Sequence, residues 1–151
     1  MRISGTVMPH SAVDISRNGD TCTIFLYDNV DSHTETDSST GQPITIWDYD
    51  YFELSANYRA NLVADIENNL EVWLQRARDA EYDRESGKVR AYRDKLLNDC
   101  DVTFCNAANW ALMDEAKRLE WQEYKQALRD ISEQEDFPLS VSWPVAPAEV
   151  F

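Results

Sequence analysis

Glycine, histidine and basic residues are scarce in this 151-residue chain, and each scarcity removes a class of function. Four isolated glycines cannot build the Gly-rich loop that cradles a phosphate, a G-x-G-x-x-G turn or a G-x-S-x-G elbow. The two histidines, His10 and His33, stand in polar, loop-like stretches without partners at ligand spacing. Each therefore reads as a solvated side chain rather than a general base or a metal ligand. Cys22, Cys100 and Cys105 are odd in number and lack metal-ligand spacing, so they read as reduced thiols of a cytosol-like compartment. No apolar run approaches the roughly 18 residues that cross a bilayer, and the start Met1-Arg2-Ile3-Ser4-Gly5 has no export pattern. Catalytic, cofactor, metal and membrane roles all lack their sequence apparatus.

Basic residues number 14 against 28 acids, a formal net charge of −14. Such a chain is repelled by phosphate backbones, which argues against a nucleic-acid partner. The charge could instead mimic nucleic acid, but a mimic needs a dense acidic stripe. Residues 1–60 carry 9 acids and 3 bases, residues 61–100 carry 9 and 7, and residues 101–151 carry 10 and 4. With the middle nearly balanced, the charge reads as a solubilising coat. Acid pairs such as Asp48 and Asp50, or Glu115, Glu120 and Glu123, read first as solvated faces of a strand and a helix.

What the chain has in abundance is aromatic surface: five Trp, seven Tyr and five Phe. That is far too much for a disordered acidic tail, and the length suits one domain or two small ones. The first third has strand patterning. Residues 12–16 and 21–27 flank Arg17-Asn18-Gly19-Asp20, and Asn-Gly between apolar alternations predicts a hairpin in which both residues tolerate positive φ. Residues 31–42, rich in Ser, Thr and Asp, predict an exposed loop. Ile44 to Leu54 predicts a third strand, with Trp47, Tyr49 and Tyr51 sharing one face.

Helical spacing begins at Tyr58 and runs through Leu62, Ile66, Leu70, Trp73, Leu74 and Ala77. Ser55 or Asn57 is the expected N-cap and Ser86-Gly87 the expected stop. A shorter helix should carry Val89, Tyr92 and Leu96, residues 101–108 a connection, and about Asn109 to Ser132 a third helix. Trp121, Tyr124, Leu128 and Ile131 form its sharpest stripe, which reads first as core packing. Three prolines between Phe137 and Pro147 exclude a helix there and favour an extended or edge-strand segment, the better candidate for docking another protein. Trp73, Trp110 and Trp143 complete the aromatic set of this half.

The last third carries several spaced elements in order. Trp121-Gln122-Glu123-Tyr124, Leu128-Arg129-Asp130-Ile131, Phe137-Pro138 and Trp143-Pro144 together resemble the C-terminal signature of the phage tail assembly chaperone-like family. Arg93-Asp94-Lys95-Leu96-Leu97 and Asp101-Val102-Thr103 resemble its R-x-x-L-L and D-W-T elements. Lys125 stands where that signature has Arg, and Val102 where it has Trp. The likeness covers about residues 89–147; Trp47 to Glu81 resembles other phage tail proteins more weakly. The resemblance implies a non-enzymatic protein without cofactor that acts on phage tail or tail-fibre subunits in the host cytoplasm. Its signature residues would be Trp121, Tyr124, Leu128, Arg129, Asp130, Phe137, Pro138, Trp143 and Pro144, with Arg129 and Asp130 tying their helix to neighbours such as the Phe137-Pro138 turn.

The expectation is therefore an α+β protein. A small antiparallel sheet (residues 1–54) precedes a helical region (residues 55–151) of a long helix, a helical hairpin and a Pro-rich extended tail. Its expected partner is a tail-fibre or other tail polypeptide, with self-association left open. A permanent tail or baseplate component and an acidic nucleic-acid mimic are the alternatives.

Overall fold

The tight turn at Gly19-Asp20 sets the first hairpin. In the computed structural model, which describes residues 1–148, β2 (Val13–Asn18) and β3 (Thr21–Thr36) pair from Val13↔Leu26 to Asn18↔Thr21. Of the turn residues Asn18, Gly19 and Asp20, only Gly19 takes positive φ, at 66°. Asn18 stays in the ladder, so the two-residue loop is Gly-Asp rather than the expected Asn-Gly. With β1 (Arg2–Gly5) and β4 (Pro43–Asn57), these strands form an antiparallel sheet in the order β1-β4-β3-β2.

Three expectations fail in this region for local reasons. Residues 31–36 are not loop but the second half of β3, paired with Pro43–Asp48 as an exposed two-stranded ribbon. Polar residues suit it because neither face of the ribbon needs a core. Its tip is closed by Asp37, whose carboxylate accepts from the Ser39 and Thr40 amides. His33 therefore lies on a strand. Ser55 and Asn57 are strand residues, with Asn57 opposite Thr21, so neither caps a helix. Tyr58 donates its amide to Asp20 and takes the Arg17 guanidinium over its ring at 4.0 Å, which fastens it to the sheet end instead of opening a helix.

Between Asp28 and Asp31 the register slips by one residue, with Asn29 at φ 48°. This β-bulge reverses which side chains of β3 face which side beyond it. Before the bulge Cys22, Ile24 and Leu26 point to one face, where they are buried with Val13 and Phe52. That face is covered by α1 (Leu62–Asn68) and the opening turns of α2 (Leu70–Asp99), through Leu62, Ile66, Trp73, Leu74 and Ala77. Replacing fully buried Ile24 or Leu26 by Ala would cost about 2–5 kcal/mol. The two helices are separated at Asn69, whose side-chain amide donates to the Asp65 carbonyl.

Contacts divide the chain into two compact units, Met1–Glu81 and Tyr82–Phe151. The second holds the rest of α2, which passes through Ser86 and Gly87 without the expected stop. There the buried Ser86 hydroxyl donates back to the Asp83 carbonyl instead of ending the helix. A π-helical turn (Cys100–Phe104) follows, then α3 (Ala107–Leu112) and α4 (Glu115–Arg129). The single third helix expected over Asn109 to Ser132 is thus two helices broken at Met113-Asp114. Asp114 causes the restart, because its carboxylate accepts from the Lys117 amide at 2.7 Å as an N-cap. A 3-10 turn (Asp130–Glu133) ends α4, and residues 141–148 form neither helix nor strand. No helix is long and apolar enough to cross a membrane among the described residues.

Candidate functional site

α4 sorts its side chains into three stripes, and the stripes have different jobs. Trp121, Tyr124 and Leu128 recur at helical spacing and are buried, with Cys100 and Met113, in the core of the second unit. The Trp121 indole stacks on Phe104 at 4.9 Å and meets Tyr124 edge-on at 5.9 Å. Its N–H is buried without a hydrogen-bond partner among the described residues. These three signature residues shape the core.

The stripe Glu120, Glu123 and Ala127 meets the proline segment, bordering a shallow concavity with Pro144, Val145 and Pro147. That segment is held by side chains rather than by strand pairing. The Gln134 amide donates to the Ser142 carbonyl and accepts from the Ser142 N–H, both at 2.8 Å. Trp143 stands edge-on to Tyr92 at 4.7 Å. Phe137 meets Tyr82 edge-on at 6.2 Å and lies under the Arg90 guanidinium, and Pro138 is buried. So Phe137, Pro138 and Trp143 fold the chain back against α2, and of the tail pair only Pro144 reaches an open surface feature.

The remaining stripe, Gln122, Lys125, Gln126 and Arg129, is polar and recurs at the same helical spacing. It forms one wall of an open groove of about 680 Å³, with Cys105, Ala107 and Trp110 on the other side. Trp110 also borders a second hollow of about 390 Å³ with Glu115, Arg118, Leu119 and Gln122. Arg118 fixes this ridge by donating to the Trp110 carbonyl at 3.0 Å. Lys125 pairs with Asp101, which joins the two variant signature elements across the π-helical turn. Val102, the other departure, is exposed.

Arg129 and Asp130 do not make the expected ties to the Phe137-Pro138 turn. Asp130 accepts from Gln126 one turn back at 2.8 Å. Arg129 is exposed and, among the described residues, has no hydrogen bond or ion pair, so its guanidinium is presented to the groove. The groove escaped a hydrophobic reading because its signal is the polar stripe 122, 125, 126 and 129 rather than an apolar one.

The first unit holds a separate polar cluster. Asp48 accepts from Ser4 and from His33, whose other ring nitrogen reaches Glu35 at 2.9 Å. Asp50 accepts from the Asn29 side-chain amide at 2.6 Å and lies 3.8 Å from Arg2. The hydrogen bond to Ser4, followed by His33, holds the Asp48 carboxyl below the usual range. In a Ser-His-Asp triad the hydroxyl bonds to the imidazole. Here Ser4 bonds the carboxylate, so the cluster pins the ribbon and leaves the hydroxyl unactivated. Among the described residues no three His, Cys, Asp or Glu side chains are grouped to hold a metal ion.

No curated protein and no solved structure matches the chain. Residues 86–148, which carry the groove and every signature residue, match the family model described as phage tail assembly chaperone protein, the family that the spaced tryptophan, Leu-Arg-Asp-Ile, Phe-Pro and Trp-Pro elements resemble.

Proposed function

We propose that the protein is a tail assembly chaperone that binds a tail polypeptide, such as a tail-fibre subunit, in the host cell while the virion is built. The family match over residues 86–148 carries this reading. The open groove between α3 and α4 supports it, since aromatic and arginine side chains dominate the energetics of protein–protein sites. Trp110 and Arg129 are the anchors of that surface and Gln122, Lys125 and Gln126 its adaptable polar contacts. Trp121, Tyr124, Leu128, Phe137, Pro138 and Trp143 act through the scaffold that positions them. Binding would hold the client until it assembles or docks, without chemistry.

Co-expression with a tail-fibre gene from the same genome tests the proposal. Soluble fibre yield should rise with the chaperone present and fall back with the exposed Arg129→Ala alone, and further with Trp110→Ala added, whose fold is checked by circular dichroism because Trp110 also packs against the helical core. An unchanged yield and trimer content would count against it. Mass spectrometry of purified virions separates the transient role from a permanent one: stoichiometric retention would make the protein a tail component instead.

A further inference from the structure

The outer face of the N-terminal sheet lies outside the family match, yet it is organised. Phe25 and Tyr27 of β3 stand beside Tyr49 and Tyr51 of β4. Tyr27 meets Tyr49 edge-on at 5.6 Å and Tyr51 at 5.8 Å, and Phe25 stacks on Tyr51 at 6.0 Å. The segment between β1 and β2 rises at one end of this face. With Val7, Met8, Pro9, His10 and Ser11 it encloses a hollow of about 470 Å³ that Tyr27, Tyr49 and Asp14 also line. Val7 and Met8 are 67% and 49% exposed, so the rim is apolar and open.

The hollow has the chemistry of a cation site. Ring faces carry the negative part of the aromatic quadrupole, and a carboxylate at the rim adds a full charge. Asp14 accepts a hydrogen bond only from the neighbouring Ile15 amide and pairs with no basic group among the described residues. The same unit has this combination already filled on its other face. There Arg78 lies 5.9 Å from the Phe52 ring and donates to Asp28 at 2.7 Å.

No lysine or arginine of the unit remains to join His10 in the outer hollow. Residues 1–81 contain no lysine and five arginines. Arg2 is engaged by Asp50, Arg17 by Tyr58, Arg59 by Asp65, Arg76 by Trp73, and Arg78 by Asp28 and Glu71. We propose that the hollow receives an arginine side chain of a partner polypeptide, with Tyr27 and Tyr49 against the guanidinium plane and Asp14 as its counter-charge. Arginine fits better than lysine because its planar, weakly hydrated head both stacks on rings and forks onto a carboxylate. The Val7 and Met8 side chains would cover its alkyl stem.

Backbone-amide NMR of the full chain, titrated with acetyl-Gly-Arg-Gly-amide and with its Lys and Glu counterparts, tests the site. The measurement is made at physiological ionic strength, where long-range attraction is screened. Expected are saturable shifts confined to residues around Ser11, Asp14, Tyr27 and Tyr49, weaker with the Lys peptide and absent with the Glu peptide. Asp14→Asn should weaken the arginine peptide about fivefold or more. Asp31→Asn, which removes an acid with the same local amide hydrogen bond but outside the hollow, should leave affinity within about twofold. Tyr49→Leu, with its fold checked by circular dichroism, should match Asp14→Asn. Shifts scattered over the acidic surface, equal losses in the two Asp variants, or no saturable shift would overturn the proposal. The family-matched groove plays no part in this readout, so the outcome is independent of the chaperone reading.

Discussion

His33 is held between two carboxylates, Glu35 and Asp48, on the exposed ribbon. Chiefly through the hydrogen bond to Glu35, and then that to Asp48, its imidazole is pushed above the usual value. A raised pKa means that the folded ribbon favours the protonated ring. The resulting stabilisation is complete below the unfolded imidazole value of about 6.5 and disappears as pH rises through the folded one. Proton NMR should place the His33 midpoint above that value, and Glu35→Gln should lower it. A midpoint that does not respond to Glu35→Gln would show that the ion pair is absent in solution. Trp121 poses the opposite problem, a large apolar side chain with one unsatisfied N–H. Trp121→Ala should cost about 3–5 kcal/mol by emptying the core. Trp121→Phe should cost much less, because it removes the orphan donor along with some volume. Chemical denaturation of the two variants measures the contrast, and equal losses would refute it.

Elements follow from residues less directly, and α2 shows why. Ser86-Gly87 has the composition of a helix end, yet the helix runs thirty residues through it. Glu85 and Lys88 form an i,i+3 pair across the site, and Gly87 has open space where a Cβ would sit. Gly87→Ala should therefore stabilise the protein by about 0.5–1 kcal/mol, read from the urea midpoint. Destabilisation would mean that the glycine has a conformational task the structure does not show. Helical periodicity located the buried stripes of α1, α2 and α4. Capping chemistry was less legible, because a Ser, Asn or Gly marks an end only where tertiary contacts allow one. The Asp31–Thr36 half of β3 was illegible for another reason: without a buried face it has no alternation to read. In the sequence the groove residues are visible only as a polar helical stripe, and Arg129 reads as a structural tie. Distinguishing an exposed arginine from a paired one needs coordinates.

For the molecule as a whole, the acid excess is spread over both units. Residues 1–81 hold 14 acids and 5 bases, and residues 82–151 hold 14 acids and 9 bases. Surface ion pairs such as Arg59–Asp65 and Lys117–Glu120 offset part of this, at about 0–1 kcal/mol each. Even if every base neutralised one acid, 14 carboxylates would remain without a counter-charge in each folded molecule. Salt weakens attraction and repulsion alike, so the sign of its effect reveals which dominates. With acids outnumbering bases two to one, repulsion should win. Raising NaCl from about 0.02 M to about 0.5 M at neutral pH should raise Tm by a few degrees, as screening shortens the Debye length to a few ångströms. The gain should shrink as the pH approaches the isoelectric point near 4.4, where the net charge vanishes and solubility should reach its minimum. Calorimetric scans across that grid of salt and pH provide the check. A Tm that falls with salt at neutral pH would show the ion pairs outweighing the acid excess, and would make the −14 charge a feature the fold depends on rather than one it tolerates.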